Sequence, residues 1–143
     1  IGGKLATYHT FCGELARRLQ ARVFLPDYRL APEHPYPAAT DDSFLVYRQL
    51  LTELAGKHPL VLAGDSAGGN LTLVTLLRAR DEDLPMPACA LTLSPGADAT
   101  GTLMSLAANS DSDAMLSRKM IDMAVDIYLA GADPTHAYIS PCR

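Results

Sequence analysis

The chain has 143 residues, of which 48% are hydrophobic, and its 12 basic and 16 acidic side chains give a net charge of −4. This length and composition suit one packed domain over residues 1–143. The charges are interspersed and form no basic block, which argues against nucleic acid or an anionic membrane surface as a partner. No apolar run approaches the roughly 20 residues needed to span a bilayer.

The first half of the chain predicts a helix, a short strand and a second helix. Apolar residues recur at helical spacing over residues 9–20. Residues 23–25 are expected to form a short buried strand that Pro26 ends, because proline lacks the N–H that a central strand donates. After a proline-rich loop, a second helix is predicted over residues 38–55, with Gly56 as its stop.

The second half alternates strands and helices. Residues 60–63 and 88–93 are apolar runs typical of buried strands, and a helix is predicted between them, ending at about Arg80. Residues 97–116 are small and polar, which predicts a loop with one short helical turn, and Ser117 is placed to cap a last helix. This alternation predicts an α/β fold with a parallel sheet core and flanking helices.

The cysteines and the acidic residues give no sign of a metal site. Cys12, Cys89 and Cys142 match neither a disulfide framework nor a zinc pattern, and free thiols favour a reducing compartment. Cys89 lies in an apolar run and is expected to be a small buried hydrophobe. Residues 110–113 lack the spacing of a calcium loop, so we expect a solvated loop there.

The most informative stretch follows the strand predicted at residues 60–63 and opens a predicted helix. Its sequence is Gly64-Asp65-Ser66-Ala67-Gly68-Gly69. A G-x-S-x-G match in this context indicates a nucleophile elbow, a sharp turn that exposes one serine. We therefore predict Ser66 as the catalytic nucleophile and the backbone N–H of Ala67 as an oxyanion donor. The alternative is a glycine-rich turn with an incidental serine.

The remaining residues of this stretch are predicted to form the elbow around Ser66. Gly64 and Gly68 are expected to leave room for the turn, because neither has a Cβ. Gly69 completes the predicted elbow. Asp65 is expected to take a solvent-facing or hydrogen-bonded structural role.

Several ordered motifs resemble one known family. Residues 28–39 (YRLAPEHPYPAA), followed by residues 64–71 (GDSAGGNL), resemble the hormone-sensitive-lipase-like family of α/β-hydrolases, which includes many microbial carboxylesterases. Residues 93–98, 128–134 and 139–141 are similar to later landmarks of that family. The resemblance covers nearly the whole chain, and it implies a place near the substrate pocket as the alternative for Asp65.

The resemblance implies a partial α/β-hydrolase fold that lacks N- and C-terminal strands. It also implies hydrolysis of a small-molecule carboxylic ester through an acyl-enzyme on Ser66, with no metal or organic cofactor. A His-Gly-Gly-Gly motif would precede the segment Ile1-Gly2-Gly3, and the catalytic acid and histidine would follow Arg143. We therefore expect an internal fragment without useful activity of its own. Its sheet would lack a strand and have unpaired edges, so we expect marginal stability or aggregation.

Three alternatives remain open at this point. The chain could come from a non-catalytic, receptor-like member of the same fold, or it could be a truncated inactive product. The same nucleophile could also serve acyl transfer or amide hydrolysis. A triad of Ser66, Asp98 and His136 would be novel wiring, and we expect surface or loop roles for all the histidines. They are His9, His34, His58 and His136.

Two further groups of residues have competing interpretations. Asp27, Arg29 and Glu33 are near enough in sequence to pair with one another and brace a loop. Met120 and Met123 could line an acyl pocket, but their helical spacing favours a place in the core.

Overall fold

The computed structural model describes residues 5–110 and 112–143. Within these ranges the chain forms helices and two strands in an α/β order. The elements are α1 (Leu5–Leu19), α2 (Ala38–Leu54), β1 (Val61–Asp65), α3 (Ala67–Asp81), β2 (Cys89–Leu93), α4 (Met104–Ala108) and α5 (Arg118–Leu129). The two strands are parallel, and α3 is the crossover helix between them. The predicted α/β class with a parallel sheet is confirmed.

Most of the predicted elements form close to their expected bounds. Strand β1 continues past residue 63 to Asp65, so it leads directly into the predicted elbow. The short helix α4 is the helical turn expected within residues 97–116. Ser117 caps α5 as predicted, because its hydroxyl accepts a hydrogen bond from the Met120 amide over 3.3 Å.

The predicted strand over residues 23–25 is wrong. Residues 21–30 form neither helix nor strand, and Val23 and Phe24 are exposed rather than buried. A strand needs a neighbour for its backbone hydrogen bonds. In the described part of the chain β1 and β2 pair only with each other, so this segment has no partner.

The core lies between α2, α3 and one face of the sheet. Phe44 and Tyr47 of α2 are 3% and 2% exposed and pack against Ala79 of α3. The Tyr47 hydroxyl donates to the carbonyl oxygen of Pro85 over 2.6 Å, which satisfies its polar end inside the core. The Arg78 guanidinium lies 4.2 Å from the centroid of the Phe44 ring and covers the core edge by a cation–π contact.

The opposite face of the sheet is uncovered in the described residues. Side chains alternate along a strand, so paired residues at every second position share a face. This open face consists of Val61, Ala63, Cys89, Leu91 and Leu93. All five residues are exposed. The expectation that Cys89 is buried is therefore wrong, because its side chain lies on the face that no described helix or strand covers.

Helices α1 and α5 also leave apolar side chains exposed. Met120 and Met123 are 51% and 56% exposed, so their expected place in the core is wrong. Helix α5 buries only Leu129, and α1 buries none of its residues. No helix of the described residues combines the length and apolar character that crossing a membrane requires.

Candidate active site

Ser66 lies at a sharp turn between the end of β1 and the start of α3. Its backbone has φ 51° and ψ −116°. A positive φ is uncommon for serine, because the Cβ crowds the neighbouring backbone in that region. Such strain persists where the surrounding structure holds it, and it is typical of functional sites. The turn thus forms at the serine that the sequence singles out.

Three backbone hydrogen bonds fix this turn, two of them to the end of β2 and the loop after it and one within the first turn of α3. The Ser66 amide donates to the carbonyl oxygen of Leu93 over 2.9 Å. The Ser66 carbonyl accepts from the amides of Asn70 and Gly96, each over 3.1 Å. The main chain of Ser66 is therefore fixed on both sides, while the residue remains exposed and its hydroxyl bonds to no atom of the described residues. A fixed backbone with a free hydroxyl suits a nucleophile.

Two glycines are required by close backbone contacts at the turn. A Cβ on Gly64 would collide with the carbonyl oxygen of Gly68, and it would lie 2.8 Å from the amide nitrogen of Gly69. A Cβ on Gly69 would lie 2.9 Å from the Cβ of Pro95. The expectation that Gly68 must also lack a side chain is wrong, because a Cβ there would meet no described atom within 4 Å. The tight positions are therefore Gly64 and Gly69.

The backbone N–H of Ala67 follows Ser66 directly. Ala67 is the first residue of α3, and the first amides of a helix have no partner within the helix. Within residues 5–110 and 112–143 no acceptor contacts this N–H. The helix N-terminus also carries a partial positive charge. The amide is therefore available to a developing negative charge beside Ser66.

Asn70 has a bracing role that sequence reasoning missed. Its side-chain nitrogen donates to the carbonyl oxygens of Gly96 over 2.7 Å and of Ile139 over 2.8 Å. These bonds tie the first turn of α3 to the loop after β2 and to the end of the chain. The available signal in the sequence was an amide side chain in the first turn of the predicted helix, directly after the elbow.

Asp65 is exposed and hydrogen-bonded, as one of its two expected roles requires. The Tyr8 hydroxyl of α1 donates to Asp65 Oδ2 over 2.8 Å. Asp65 is also close enough to Tyr28 for its charge to add to the effect of burial in raising the pKa of the Tyr28 hydroxyl. The carboxylate thus faces two tyrosines.

None of the four histidines, all within the described residues, hydrogen-bonds to Ser66. The ring of His136 lies 5.3 Å from that of Tyr138, centroid to centroid, and its Nδ1 accepts the Tyr138 amide over 3.1 Å. Asp98 bonds instead to Thr100 and Arg143. The structure therefore does not bring Ser66, Asp98 and His136 together as a triad.

The charged side chains of Arg29 and Asp98 have structural roles. The expected pairing of Arg29 with Asp27 or Glu33 is wrong, because Arg29 forms a bidentate ion pair with Asp42 of α2, with a shortest distance of 2.7 Å. This bond holds the pKa of the Asp42 carboxyl below its usual range. Burial acts to raise the pKa of Asp98, but hydrogen bonds from Thr100 and Arg143 outweigh it and lower that pKa.

Some residues singled out in the sequence lie outside the described ranges. They are Ile1-Gly2-Gly3 and, in the acidic loop, Asp111. Asp113 of the same loop accepts the amides of Met115 and Leu116, as a turn residue does. In the described part of the chain, no three His, Cys, Asp or Glu side chains are grouped so that they could hold a metal ion.

The nucleophile elbow of an α/β hydrolase consists of a strand, a strained serine turn and a following helix, packed beside a parallel strand. The turn at Ser66 has this architecture. Comparison with known proteins agrees. Over residues 1–143 the chain matches the family described as alpha/beta hydrolase fold. It is 38% identical over 140 residues to an esterase of Acinetobacter venetianus, covering 97% of this chain and 46% of that protein.

Solved structures give the same result. The crystal structure of EstE5 matches with a TM-score of 0.90 and 45% identity, covering 99% of this chain and 48% of that one. A hormone-sensitive lipase from a metagenome library matches with a TM-score of 0.91 and 38% identity, covering 99% and 48%. The chain belongs to the hormone-sensitive-lipase-like family of the alpha/beta hydrolase fold. It spans about half the length of these relatives.

Proposed function

We propose that the protein carrying this chain is a serine-dependent carboxylic ester hydrolase that acts through an acyl-enzyme on Ser66. The observation that carries the proposal is the turn at Ser66, where a φ of 51° is held by three backbone hydrogen bonds and the hydroxyl stays free. The names of the relatives, among them an esterase and a hormone-sensitive lipase, support ester hydrolysis and a small-molecule ester substrate.

In the proposed reaction, Ser66 Oγ attacks the ester carbonyl carbon and a base accepts its proton. The Ala67 N–H donates to the oxygen that becomes negatively charged, and the positive end of α3 adds to this stabilisation. The carbon–oxygen bond to the alcohol then breaks, and the alcohol leaves with the proton from the base. Water attacks the acyl-Ser66 ester by the same route and releases the acid. This scheme uses no metal or organic cofactor.

The base is the part of this scheme for which the described residues offer no candidate. No histidine in residues 5–110 and 112–143 hydrogen-bonds to Ser66, and the His136 ring already accepts the Tyr138 amide. We infer that a histidine and an acid outside these residues complete the site, as the family resemblance implies. Loss of the base costs up to about 10⁶ in rate, so the 143-residue chain by itself should show no useful activity.

The test is hydrolysis of a short-chain ester by the complete encoded polypeptide. Ser66→Ala should reduce kcat by about 10⁶, to the background rate. Ser94→Ala is a matched control, because Ser94 is also exposed, follows β2 directly and has a positive φ of 46°, but no helix follows it. This control should keep its kcat within about twofold, since no helix begins directly after Ser94 and its own amide precedes no helical turn that could hold an oxyanion.

Two results would contradict the proposal. Retention of ester hydrolysis by Ser66→Ala would exclude Ser66 as the nucleophile. A wild-type protein that binds esters without cleaving them would favour the receptor-like alternative. Analysis of the released products with ester, amide and alcohol acceptors present distinguishes hydrolysis from amide cleavage and acyl transfer.

A further inference from the structure

Helix α1 is joined to the elbow by one hydrogen bond. The Tyr8 hydroxyl donates to Asp65 Oδ2 over 2.8 Å, between residues 57 positions apart. In the described part of the chain no other hydrogen bond links α1 to another helix or strand, and α1 buries none of its residues. Asp65 is the last residue of β1 and precedes Ser66 directly. The bond from Tyr8 therefore ends next to the strained turn.

The surroundings of Asp65 leave Tyr8 as its hydrogen-bonding partner. No lysine, arginine or histidine of the described residues pairs with this carboxylate. Tyr28 faces it without a hydrogen bond, and Cys12 lies near the Tyr8 hydroxyl. The hydrogen bond to Asp65 raises the pKa of the Tyr8 hydroxyl above its ordinary value near 10, so Tyr8 keeps its proton and donates at neutral pH.

The two sides of the turn are anchored differently. On the side of β2, the main chain of Ser66 is held by the carbonyl of Leu93 and the amide of Gly96. The side chain of Asp65 shares the orientation of the open face, on which no described strand or helix packs. Within residues 5–110 and 112–143, the Tyr8 hydroxyl is the hydrogen-bonding contact that restrains Asp65 on this side. A strained turn keeps its geometry only when its surroundings restrain it.

We propose that Tyr8 is a positioning residue for Ser66, because its hydrogen bond to Asp65 fixes the end of β1 from which the strained turn begins. This inference rests on the proposed function. Tyr8 contacts neither Ser66 nor the substrate in this account, so it acts through Asp65 alone. Its removal should therefore lower kcat and leave KM unchanged, since geometry at the nucleophile affects the transition state more than substrate binding.

The chain contains a matched control for this bond. The Tyr138 hydroxyl donates to Asp81 Oδ2, also over 2.8 Å and also across 57 positions, and this bond is exposed as well. Asp81 is the last residue of α3, about 21 Å along the helix from Ala67 at 1.5 Å per residue. Loss of the Tyr138 bond removes the same chemistry far from the elbow.

The experiment measures kcat, KM and the melting temperature of Tyr8→Phe and Tyr138→Phe in the complete encoded polypeptide. We expect Tyr8→Phe to lower kcat about tenfold, the rate equivalent of one hydrogen bond to a charged group. KM should stay unchanged, and Tyr138→Phe should leave both constants unchanged. Asp65→Asn should keep most of the activity, because its amide oxygen still accepts the Tyr8 proton. Asp65→Ala should reproduce the loss, which tests the same bond if Tyr8→Phe does not fold.

Equal kcat values for Tyr8→Phe and Tyr138→Phe would overturn the inference, even if both variants melt at a lower temperature. A rise in KM at constant kcat would also overturn it, because it would place Tyr8 in substrate binding. A similar loss in Asp65→Asn and Asp65→Ala would show that charge, not the hydrogen bond, matters at this position. Activity in Ser66→Ala would refute the proposed function, which is a distinct outcome.

Discussion

The two faces of the β1–β2 sheet differ in what they contribute. One face packs on α3 and joins the core of Phe44, Tyr47 and Ala79. On the open face, Leu91 and Leu93 are 56% and 52% exposed, and α1 contacts this side through the Tyr8 hydrogen bond. Parallel sheets are normally covered on both faces. On the covered face the sheet is therefore held by packing, whereas on the open face of the described residues the restraint next to the elbow is the Tyr8 hydrogen bond.

Two phenylalanine substitutions, one in the core on the covered face and one in α1 on the open side, should show the largest difference in stability. Phe44→Ala should lower the free energy of unfolding by about 3–5 kcal/mol, because the ring is 3% exposed and its loss leaves a cavity. Phe11→Ala in α1 should change it by less than about 0.5 kcal/mol, because that ring is 54% exposed. Urea denaturation of the complete encoded polypeptide measures both. Similar losses would mean that α1 packs more firmly than its exposure indicates.

Two alanine substitutions at the elbow should have opposite results. Gly64→Ala should lower the free energy of unfolding by about 3 kcal/mol, because its Cβ overlaps the Gly68 carbonyl, a backbone atom. Gly68→Ala should be neutral or stabilise by up to about 1 kcal/mol, since the position is open and alanine favours a helix. The same denaturation experiment measures the pair. A tolerated Gly64→Ala would show that the turn relaxes easily and that its geometry is not held.

Features that depend on residues adjacent in sequence were predicted correctly more often than features that depend on tertiary packing. The strand, serine turn and helix at Ser66 follow from a motif whose residues adjoin in sequence, so the pattern was sufficient. The strand at residues 23–25 and the burial of Cys89 and Met123 depended on neighbours that the described residues do not provide. Apolar character alone could not reveal that, because it shows only a tendency to be covered.

The sequence motif also could not show which glycines of the elbow are sterically required. The motif marks Gly64, Gly68 and Gly69 alike, yet two of them approach backbone or proline atoms and one faces open space. The need for glycine at position 69 depends on Pro95, which lies 26 residues further along the chain. The bracing by Asn70 likewise joins segments that are distant in sequence. Contacts of this kind require the folded structure.

Low pH should change the stability that Asp98 contributes more than the stability that Asp133 contributes, although both aspartates have the same local motif. Asp98 and Asp133 each accept the amide and hydroxyl of the threonine two positions later, but of the two aspartates Asp98 alone also pairs with Arg143 in the described residues. The Asp98 side chain is 1% exposed, whereas Asp133 is exposed. Hydrogen bonds lower the folded-state pKa of both carboxyls. Their contributions are therefore present above the unfolded pKa near 3.8 and are lost as pH falls through the folded value.

At pH 7, Asp98→Asn should lower the free energy of unfolding by about 2 kcal/mol, because a charged hydrogen bond in a buried place is lost. Asp133→Asn should cost less than about 0.5 kcal/mol. The Asp98→Asn penalty should shrink as pH falls below about 4, since the wild-type carboxyl also becomes neutral. Urea denaturation across this pH range measures it. A penalty that stays constant down to pH 2 would contradict the lowered pKa of Asp98.

The central claim is that the strained turn at Ser66 makes this serine the nucleophile. The most direct measurement treats the complete encoded polypeptide with a fluorophosphonate and locates the adduct by peptide mass spectrometry. We expect one adduct on Ser66, at a rate that falls in Tyr8→Phe but not in Tyr138→Phe. Labelling at Ser94 or another serine, or no labelling in a folded protein that hydrolyses esters, would contradict it.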